Sequence, residues 1–513
     1  MNADFEDWGA FGTPLFDDPE ARALKRVGVV DVGSNSVRMV VFDGAARSPA
    51  YFFNEKIMCA LGEGLGETGR LNPGGRVRAL AAIRRFQLLA RGMRIPRLTA
   101  VATAAVRDAE DGPAFRAEVE RETGLVMHVI DGPEEARLSA QGVLLGWPGA
   151  HGMICDIGGA SMELAEIGNG TVGKRVTSDL GPLKLGTLGG GRKAIRRHIK
   201  EVMENLREQM PFEGQRLFLV GGSWRAIARL DMVRREYPLT VLHEYRMTPK
   251  SVFETVKWMG MHEPAELRGM SGLSQARLSL LPMAGEVLRR LIRTFRPRDI
   301  AVSSYGLREG LLYEQMPERL RQRDPLIEAC RFEEQKEARI PGFARELHRF
   351  IRPLFRSAND DRQRLIRAAC LLHDVAWRAH PDYRHEVCFD LATRANFGGI
   401  RHRERVYLGL ALLHRYKNSR AGTRFEPLIR LLDERHLREA EILGKAMRFG
   451  AMFSVEAPAE MAELGYYPKK KILELRLTPA GQDMFGEVAE ARFASLARSL
   501  EAETRIIDKQ GRR

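Results

Sequence analysis

Two short segments repeat the same arrangement of an acidic residue, glycine and serine. Asp31-Val-Gly-Ser-Asn-Ser and Asp156-Ile-Gly-Gly-Ala-Ser share the frame Asp-(Val/Ile)-Gly-x-x-Ser and begin 125 residues apart. Each frame lies between two apolar runs, which predicts a β-hairpin. The glycine permits a tight turn that directs N–H groups and a hydroxyl towards one point, forming an anion nest. The aspartate at its edge is suited to Mg²⁺.

A single copy of this frame is typical of an ordinary hairpin turn. Two matched copies indicate an internal duplication of about domain size. Two further glycine-rich turns occur at Gly221-Gly222-Ser223 and within Ser303–Gly306. Together these turns predict a cleft in which two loops hold a phosphate chain from opposite sides.

The surrounding pattern predicts the elements that position these turns. Strand-like and helix-like segments alternate from Val27 to about residue 316, which is typical of an α/β fold. Beyond about residue 320 the pattern changes to long amphipathic helices. The last segment, from Lys469, predicts a short strand or hairpin followed by a helix. Residues 1–25 are predicted to be a poorly ordered tail.

Charge and composition limit the partners. The net charge is +14 and the pI about 9.7, which favours polyanions such as polyphosphate, nucleic acid, nucleotides or an acidic membrane. Aromatic residues suited to base stacking do not interleave with the basic ones, which argues against nucleic acid. The sequence contains no apolar run of roughly 18 residues, so no membrane helix is predicted. Five scattered cysteines and an acidic N-terminus without an apolar leader predict free thiols and a cytoplasmic location.

Six motifs in order resemble the exopolyphosphatase / guanosine pentaphosphate phosphohydrolase family. That family belongs to the superfamily of actin, sugar kinases and chaperone ATPases. The resemblance is strong over residues 27–316 and loose beyond them. The motifs are DVGSNSVRMV (31–40), ATAAVRDA (102–109), PEEARLSAQGV (133–143), DIGGASMEL (156–164), LVGGSWRAIA (219–228) and SSYGLREG (303–310).

The resemblance implies a specific architecture. Two actin-like, ribonuclease H-like lobes of the ASKHA type are expected at 26–145 and 146–316. An all-helical HD-like domain is expected at 317–450 and a small C-terminal domain at 451–513. The resemblance also implies a homodimer.

The resemblance also implies roles for the acidic residues. Glu135 would orient or deprotonate the attacking water, and a carboxylate opposite a phosphate nest suits that role. Adjacent Glu134 is the competing candidate, although both could simply complement a helix dipole. Asp156 and Glu163 would hold Mg²⁺, with Asp31 contributing from the opposite lobe. Mn²⁺ in its place, and a monovalent cation such as K⁺, stay open.

The phosphate contacts implied by the resemblance come from both loops and two further segments. Arg107 resembles the phosphate-binding arginine of the family, and a guanidinium fork suits phosphate. Two positions depart from the family pattern: Ala160 replaces a usual glycine, and Ser223 a frequent threonine. Lys184 is expected near the anion path. The phosphate-binding set is Gly33, Ser34, Asn35, Ser36, Arg38, Arg107, Gly158, Gly159, Ala160, Ser161, Gly222 and Ser223.

Inorganic polyphosphate is the leading substrate on this resemblance. Guanosine pentaphosphate, or the tetraphosphate as a ligand, is the alternative, because the motifs are shared. A sugar kinase or chaperone-like ATPase would need an adenosine pocket at the third glycine motif. A non-catalytic phosphate sensor is disfavoured by the retention of four carboxylates, Asp31, Glu135, Asp156 and Glu163.

Two features outside the motifs admit further hypotheses. His373-Asp374 resembles the metal-binding pair of HD phosphohydrolases, but Phe343 falls where a histidine ligand would be needed, which favours a structural pair. Residues 401–450 carry 12 Lys and Arg against 6 Asp and Glu. These residues, with Lys469–Lys471 and the Arg192–Arg197 cluster, are compatible with a channel for polyphosphate.

Overall fold

The computed structural model describes residues 18–44, 47–212 and 214–508. The described chain forms two compact units that divide between Pro325 and Leu326. The first unit therefore extends beyond the predicted boundary at residue 316. Arg47 explains the extension, because its buried guanidinium donates to the carbonyl oxygens of Leu320 and Arg321 at 2.9 and 2.8 Å. These bonds attach the last short helix to the first unit.

The first lobe is built on a five-stranded sheet in the order β3-β2-β1-β4-β5. Most of the predicted tail lies outside the described residues, but Pro19–Ala23 form a helix and the first strand starts at Lys25. The elements are α1 Pro19–Ala23, β1 Lys25–Val32, β2 Ser36–Asp43, β3 Ala50–Met58, α2 Leu65–Thr68, α3 Pro73–Gly92, β4 Arg97–Ala102, α4 Ala104–Asp108, α5 Gly112–Thr123, β5 Met127–Val129 and α6 Gly132–Gly146.

The second lobe contains a six-stranded sheet in the order β10-β11-β9-β6-β7-β8. Its elements are β6 Gly152–Ile157, β7 Met162–Gly168, β8 Thr171–Ser178, α7 Pro182–Gly186, α8 Gly191–Gln209, β9 Arg216–Val220, α9 Gly222–Arg234, β10 Tyr245–Met247, α10 Pro249–Met259, α11 Pro264–Ser271, α12 Gln275–Leu278, α13 Leu281–Phe295, β11 Asp299–Val302, α14 Leu307–Gln315 and α15 Glu318–Arg321.

The two sheets repeat one topology. In each, an antiparallel hairpin (β1–β2 or β6–β7) extends to a third antiparallel strand on one side. On the other side, its first strand pairs in parallel with β4 or β9, and that strand pairs in parallel with β5 or β11. The second lobe adds one antiparallel edge strand, β10. The predicted duplication and the two-lobed α/β class are therefore confirmed.

Burial on both faces makes the central strands almost continuously apolar, as expected for parallel pairing. In β1, Val30 and Val32 pack towards Phe86 of α3 in one core. Val27 and Val29 face a second core that contains Leu144 of α6. The aspartate near the end of β1 is thus held by a strand that is fixed on both sides.

Two glycines let helices α6 and α14 pack closely. A Cβ on Gly142 would overlap the carbonyl oxygen of Gly306, and one on Gly310 would overlap that of Leu138. The backbones therefore touch directly. The two helices run antiparallel, so the start of α6, which carries Glu135, lies beside the end of α14, where Arg137 of α6 pairs with Glu314.

The second unit is mainly helical and ends in a three-stranded sheet, β12-β13-β14. The strand predicted in the segment from Lys469 is β13, whereas its antiparallel partner β12 and its parallel partner β14 were not predicted. Its elements are α16 Pro325–Glu337, α17 Phe343–Ile351, α18 Asp360–Leu372, α19 Arg384–Arg394, α20 His402–Tyr416, α21 Glu426–Ile429, α22 Glu434–Phe453, α23 Pro458–Met461, β12 Ala462–Tyr467, β13 Ile472–Leu477, α24 Pro479–Met484, α25 Glu487–Leu500 and β14 Glu503–Ile507.

The His373–Asp374 pair has protein partners. Arg339 donates to both oxygens of Asp374 at 2.7 Å. His373 Nδ1 lies 2.8 Å from the Cys370 carbonyl oxygen, and the Phe343 ring packs 5.4 Å from the His373 ring. Burial lowers the pKa of His373 to about 4. These contacts support a structural pair, and the HD-like assignment stays a prediction.

Two composition-based expectations can be compared with the structure. All five cysteines are buried and free, as predicted. In the described part of the chain, no helix has the length and apolar character needed to cross a bilayer.

Gly310→Ala should lower the free energy of unfolding of the first unit by about 3 kcal/mol, because the added methyl group overlaps backbone. Gly92→Ala is the matched control. Its Cβ would meet no atom within 4 Å at the end of α3, so it should stabilise by about 0.5 kcal/mol. Chemical denaturation of both variants measures the difference, and equal stabilities would contradict the close helix contact.

Candidate active site

The two hairpin loops adopt the same closed turn. Gly33 N donates to Ser36 O at 3.0 Å, and Gly158 N donates to Ser161 O at the same distance. Within the described residues, the intervening amides of Ser34, Asn35, Gly159 and Ala160 donate to no protein acceptor. Each loop therefore presents two available N–H groups, as an anion nest requires.

A cavity of about 220 Å³ lies between these loops. Among the predicted site residues, Glu134, Arg107 and Glu163 do not line it. Fourteen residues do: Asp31, Gly33, Ser34, Asn35, Ser36, Arg38, Glu135, Asp156, Gly158, Gly159, Ala160, Ser161, Gly222 and Ser223. The duplicated motifs thus form one site within the first unit.

Two aspartates reach the cavity from opposite lobes. Asp31 Oδ2 accepts a hydrogen bond from Arg308 Nη1 at 3.2 Å. Asp156 Oδ2 accepts a hydrogen bond from the Ser139 hydroxyl of α6. Burial raises the pKa of both aspartates, although these partners oppose the shift.

Glu163 lies behind Asp156. The two residues are cross-strand partners on β7 and β6, and Glu163 is fully buried. The Thr177 hydroxyl donates to its Oε1 at 3.3 Å, while Oε2 has no hydrogen-bond partner. Burial, reinforced by the charge of Asp156, raises the pKa of Glu163 to about 8.

Glu135 and Glu134 point to different environments although both lie in the first turn of α6. Glu135 is 8% exposed, lines the cavity, and has an Oε2 atom without a hydrogen-bond partner. Burial raises its pKa well above the usual value, and Glu163, Asp156 and Asp31 add to that shift. Glu134 instead forms an ion pair with Arg137. Only Glu135 is available to the cavity.

Five cationic side chains also line the cavity, and only Arg38 among them was predicted. The others are Lys56 of β3, Arg225 of α9, Arg277 of α12 and Arg308 of α14. Burial lowers the pKa of Lys56 to about 8 and that of Arg38 to about 10, and neighbouring arginines contribute. Arg225 and Arg308 lie within recognised motifs, so the sequence held a signal for them. Lys56 and Arg277 lie in no motif.

Arg107 lies outside the cavity. Its Nε donates to Asp108 at 2.9 Å and its Nη1 to the Ile130 carbonyl oxygen at 3.3 Å. Its charge still acts on the site, because it opposes the raised pKa of both Glu135 and Glu163. Thr103 and Ala104 from the same motif line the cavity instead. Lys184 is also absent from the lining and lies 3.9 Å from Asp179.

The second loop is supported by Gly181 from the segment that follows β8. A Cβ on Gly181 would overlap the backbone of Ala160 and Ser161. Leu183 N also donates to Gly159 O at 2.8 Å. The position of Ala160, where the family pattern has glycine, therefore depends on glycine at 181.

Gly181→Ala should weaken tripolyphosphate binding by at least about 10-fold, because displacing the nest by a fraction of an ångström misaligns its N–H groups. Gly186→Ala, five residues along the chain, should bind normally, since its Cβ meets no atom within 4 Å. Isothermal titration with tripolyphosphate measures both variants. Unchanged binding by Gly181→Ala would mean that the second loop is not a phosphate ligand.

The described residues include no group of three or more His, Cys, Asp or Glu side chains arranged to hold a metal ion by themselves. A divalent ion at Asp31 and Asp156 would therefore need water and ligand oxygens to complete its coordination, which is the usual situation for Mg²⁺.

Two protein-family models match the chain. A model described as the Ppx/GppA phosphatase family matches residues 40–319, and a model described as the exopolyphosphatase C-terminal region matches residues 333–506. Exopolyphosphatase 2 of Mycobacterium tuberculosis is 26% identical over 314 residues, covering 56% of this chain and 98% of the relative. A guanosine-5'-triphosphate,3'-diphosphate pyrophosphatase of Aeromonas salmonicida is 26% identical over 369 residues, covering 67% of this chain and 72% of the relative.

Solved structures share the fold. An exopolyphosphatase from Cytophaga hutchinsonii aligns with a TM-score of 0.51 at 21% identity, covering 56% of this chain and 97% of that one. The Aquifex aeolicus member of the Ppx/GppA family aligns with a TM-score of 0.50 at 22% identity, covering 57% of this chain and 97% of that one.

Proposed function

The chain belongs to the Ppx/GppA phosphatase family, and we propose that its cleft hydrolyses the terminal phosphoanhydride bond of inorganic polyphosphate. The observation that carries this proposal is the composition of the cavity lining. It combines five cations with two loop nests, and no aromatic side chain occurs among the described residues that form it. A polyphosphate chain offers only charged oxygens, so this lining matches it better than it matches a nucleoside.

A divalent cation fits the acidic side of the cleft. Glu135 and Glu163 each bury one oxygen that lacks a hydrogen-bond partner, and burial raises the pKa of all four carboxylates. A hard cation would relieve the electrostatic repulsion among these four carboxylates. Asp31 and Asp156 would hold Mg²⁺ together with phosphate oxygens, and Glu163 would support Asp156 from behind. When bound, the ion would neutralise charge on the phosphate oxygens.

The protein groups divide the remaining work of the reaction. The amides of the two loops and Arg38, Arg277 and Arg308 bind and orient the end of the chain. Glu135 orients a water molecule and accepts its proton as the water oxygen bonds to the terminal phosphorus. The bond from that phosphorus to the bridging oxygen breaks in line, which yields orthophosphate and a chain shortened by one unit. The surrounding cations stabilise the charge on the leaving oxygen.

Guanosine pentaphosphate hydrolysis remains the alternative reaction, because relatives of both kinds match. Mn²⁺ in place of Mg²⁺, a monovalent cation, a homodimer and a cytoplasmic location are further predictions that the family resemblance implies.

Purified protein with Mg²⁺ should release orthophosphate from long polyphosphate at least about 10-fold more efficiently, in kcat/KM, than from guanosine pentaphosphate or ATP. This difference, of about 1.4 kcal/mol, reflects the absence of an aromatic base-binding surface in the lining. Parallel phosphate-release assays measure it, with chelator as the blank. A preference for guanosine pentaphosphate would favour the alternative, and no release from any substrate would reject the proposed function.

Glu135→Gln should lower kcat by about 10³-fold, because the amide keeps the shape but cannot accept the proton. Glu134→Gln is the matched control on the same helical turn and should retain nearly full activity, since Glu134 pairs with Arg137. The melting temperature of both variants should stay near that of the parent. If Glu134→Gln were inactive and Glu135→Gln active, the assignment of the base would be reversed.

A further inference from the structure

Helices α8 and α13 of the second lobe form a groove that starts beside the cleft. Three contacts join them in register: Arg196 to Glu286 at 2.8 Å, Arg290 to Glu204 at 2.8 Å, and Arg207 to the Thr294 carbonyl oxygen at 2.7 Å. Both residue numbers rise together along this series, so the helices run parallel. Their N-terminal ends therefore lie at the same end of the groove.

That end of the groove adjoins the cleft along the chain. Leu183, in the helix that precedes α8, lines the cleft. On the other side, Arg277 and Leu280 line the cleft, whereas the neighbouring Leu278 and Leu281 line the start of the groove. A chain leaving the cleft between these segments would enter the groove directly. With 19 residues, α8 extends about 28 Å from this point.

The groove is strongly basic. We define the α8–α13 groove by six residues: Arg192, Arg196, Lys200, Arg289, Arg290 and Arg293. Arg192, Arg196 and Lys200 follow one another at four-residue spacing, and so do Arg289 and Arg293, so each set forms a stripe on one face of its helix. Two adjoining cavities of about 250 and 490 Å³ lie along these stripes.

Few carboxylates compensate this charge. Helices α8 and α13 together carry nine Lys and Arg against four Asp and Glu. Glu286 pairs with Arg196 and Arg289, and Glu204 pairs with Arg290 and Lys200, whereas Arg192 and Arg293 form no ion pair with any carboxylate in the described residues. Arg290 also buries its Nε without a hydrogen-bond partner. Like charges at this spacing destabilise a helix, and an anion in the groove would reverse that cost.

The basic tract at residues 401–450, expected from sequence to line a channel, differs in how its cations are paired. Arg403, Arg420, Arg424, Arg435 and Lys445 each pair with a nearby carboxylate. Arg405 donates to the carbonyl oxygens of Ala395 and Phe397 at 2.7 Å. These five cations of the tract are therefore paired, whereas Arg192 and Arg293 of the α8–α13 groove form no ion pair within the described residues.

We propose that the α8–α13 groove binds the distal part of the polyphosphate chain whose terminal phosphate lies in the cleft, which rests on the proposed function. The cavity of about 250 Å³ has no aromatic residue in its described lining. The nearby Phe253 ring is covered by Arg293, whose guanidinium carbon lies 5.4 Å from the ring centre. Base stacking, which single-stranded nucleic acid requires, has no platform there, so a base-free polyanion is the better match.

The test uses the full chain with the triple variant Lys200→Gln, Arg289→Gln and Arg293→Gln. Its KM for long polyphosphate should rise roughly 10-fold, since three screened phosphate contacts are removed. Its kcat, and its KM for tripolyphosphate, should stay unchanged, because a short chain ends inside the cleft. The control variant Arg91→Gln, Arg116→Gln and Arg121→Gln removes equal charge from exposed positions of α3 and α5 in the first lobe. It should leave both substrates unaffected.

Equal weakening of long and short chains by the groove variant, or the same loss in the control variant, would overturn the proposal. So would an unchanged KM for long chains. Each result would mean that the groove is only a solvated basic surface.

A binding measurement separates this proposal from the proposed function. In the Glu135→Gln background, long polyphosphate and an oligouridylate of similar charge are titrated at several salt concentrations. The groove substitutions should weaken polyphosphate binding and lower the slope of log K against log salt by about 2. Loss of oligouridylate binding alone would assign the groove to nucleic acid and overturn the proposal. If the parent protein hydrolysed nothing, the proposed function would fail, while this titration would still decide the groove.

Discussion

Opposite charges crowd one buried cleft, and among the described residues that line it a single ion pair, Asp31–Arg308, joins them. Glu135 and Glu163 each leave an oxygen without a hydrogen-bond partner, while burial lowers the pKa of Lys56 and Arg277 on the other side. Such charges interact strongly where water is largely excluded. A metal ion bound to a phosphate chain carries both compensating charges, so it would stabilise both sides at once. This requirement links the metal, the substrate and the shape of the site.

The two hairpins of the internal duplication differ in the charge that faces the motif aspartate across the strand ladder. In both hairpins, the motif aspartate pairs across the ladder with the residue seven positions later. That residue is Arg38 opposite Asp31 in the first lobe and Glu163 opposite Asp156 in the second. The loop backbones stayed the same, with the same closing hydrogen bond. The chemistry of the two halves therefore differs through side chains, while the anion nests are set by the shared backbone.

Short sequence patterns predicted the features of the fold that depend on residues close together in the chain. The hairpins, their loop residues and the two-lobed topology follow from short patterns of apolar, glycine and acidic residues. Lys56 and Arg277 could not be predicted, because only tertiary packing brings their strand and short helix to the cleft. Arg107 was expected in the cleft, yet its guanidinium is held by Asp108 and Ile130. The strand β14 could not be predicted either, because this five-residue segment after a long helix becomes a strand only by pairing with β13.

The size of the cleft limits what it can recognise. A cavity of about 220 Å³ holds only the end of a long phosphate chain, so the remaining charged units must lie against other parts of the surface. The protein carries a net charge of +14, but a cation that is already paired gains little from an added anion. In the proposed reaction, the path of the chain would therefore depend on unpaired cations and on continuity with the cleft. Both conditions are met at the start of α8, because the segment before it lines the cleft and Arg192, in its first turn, forms no ion pair within the described residues.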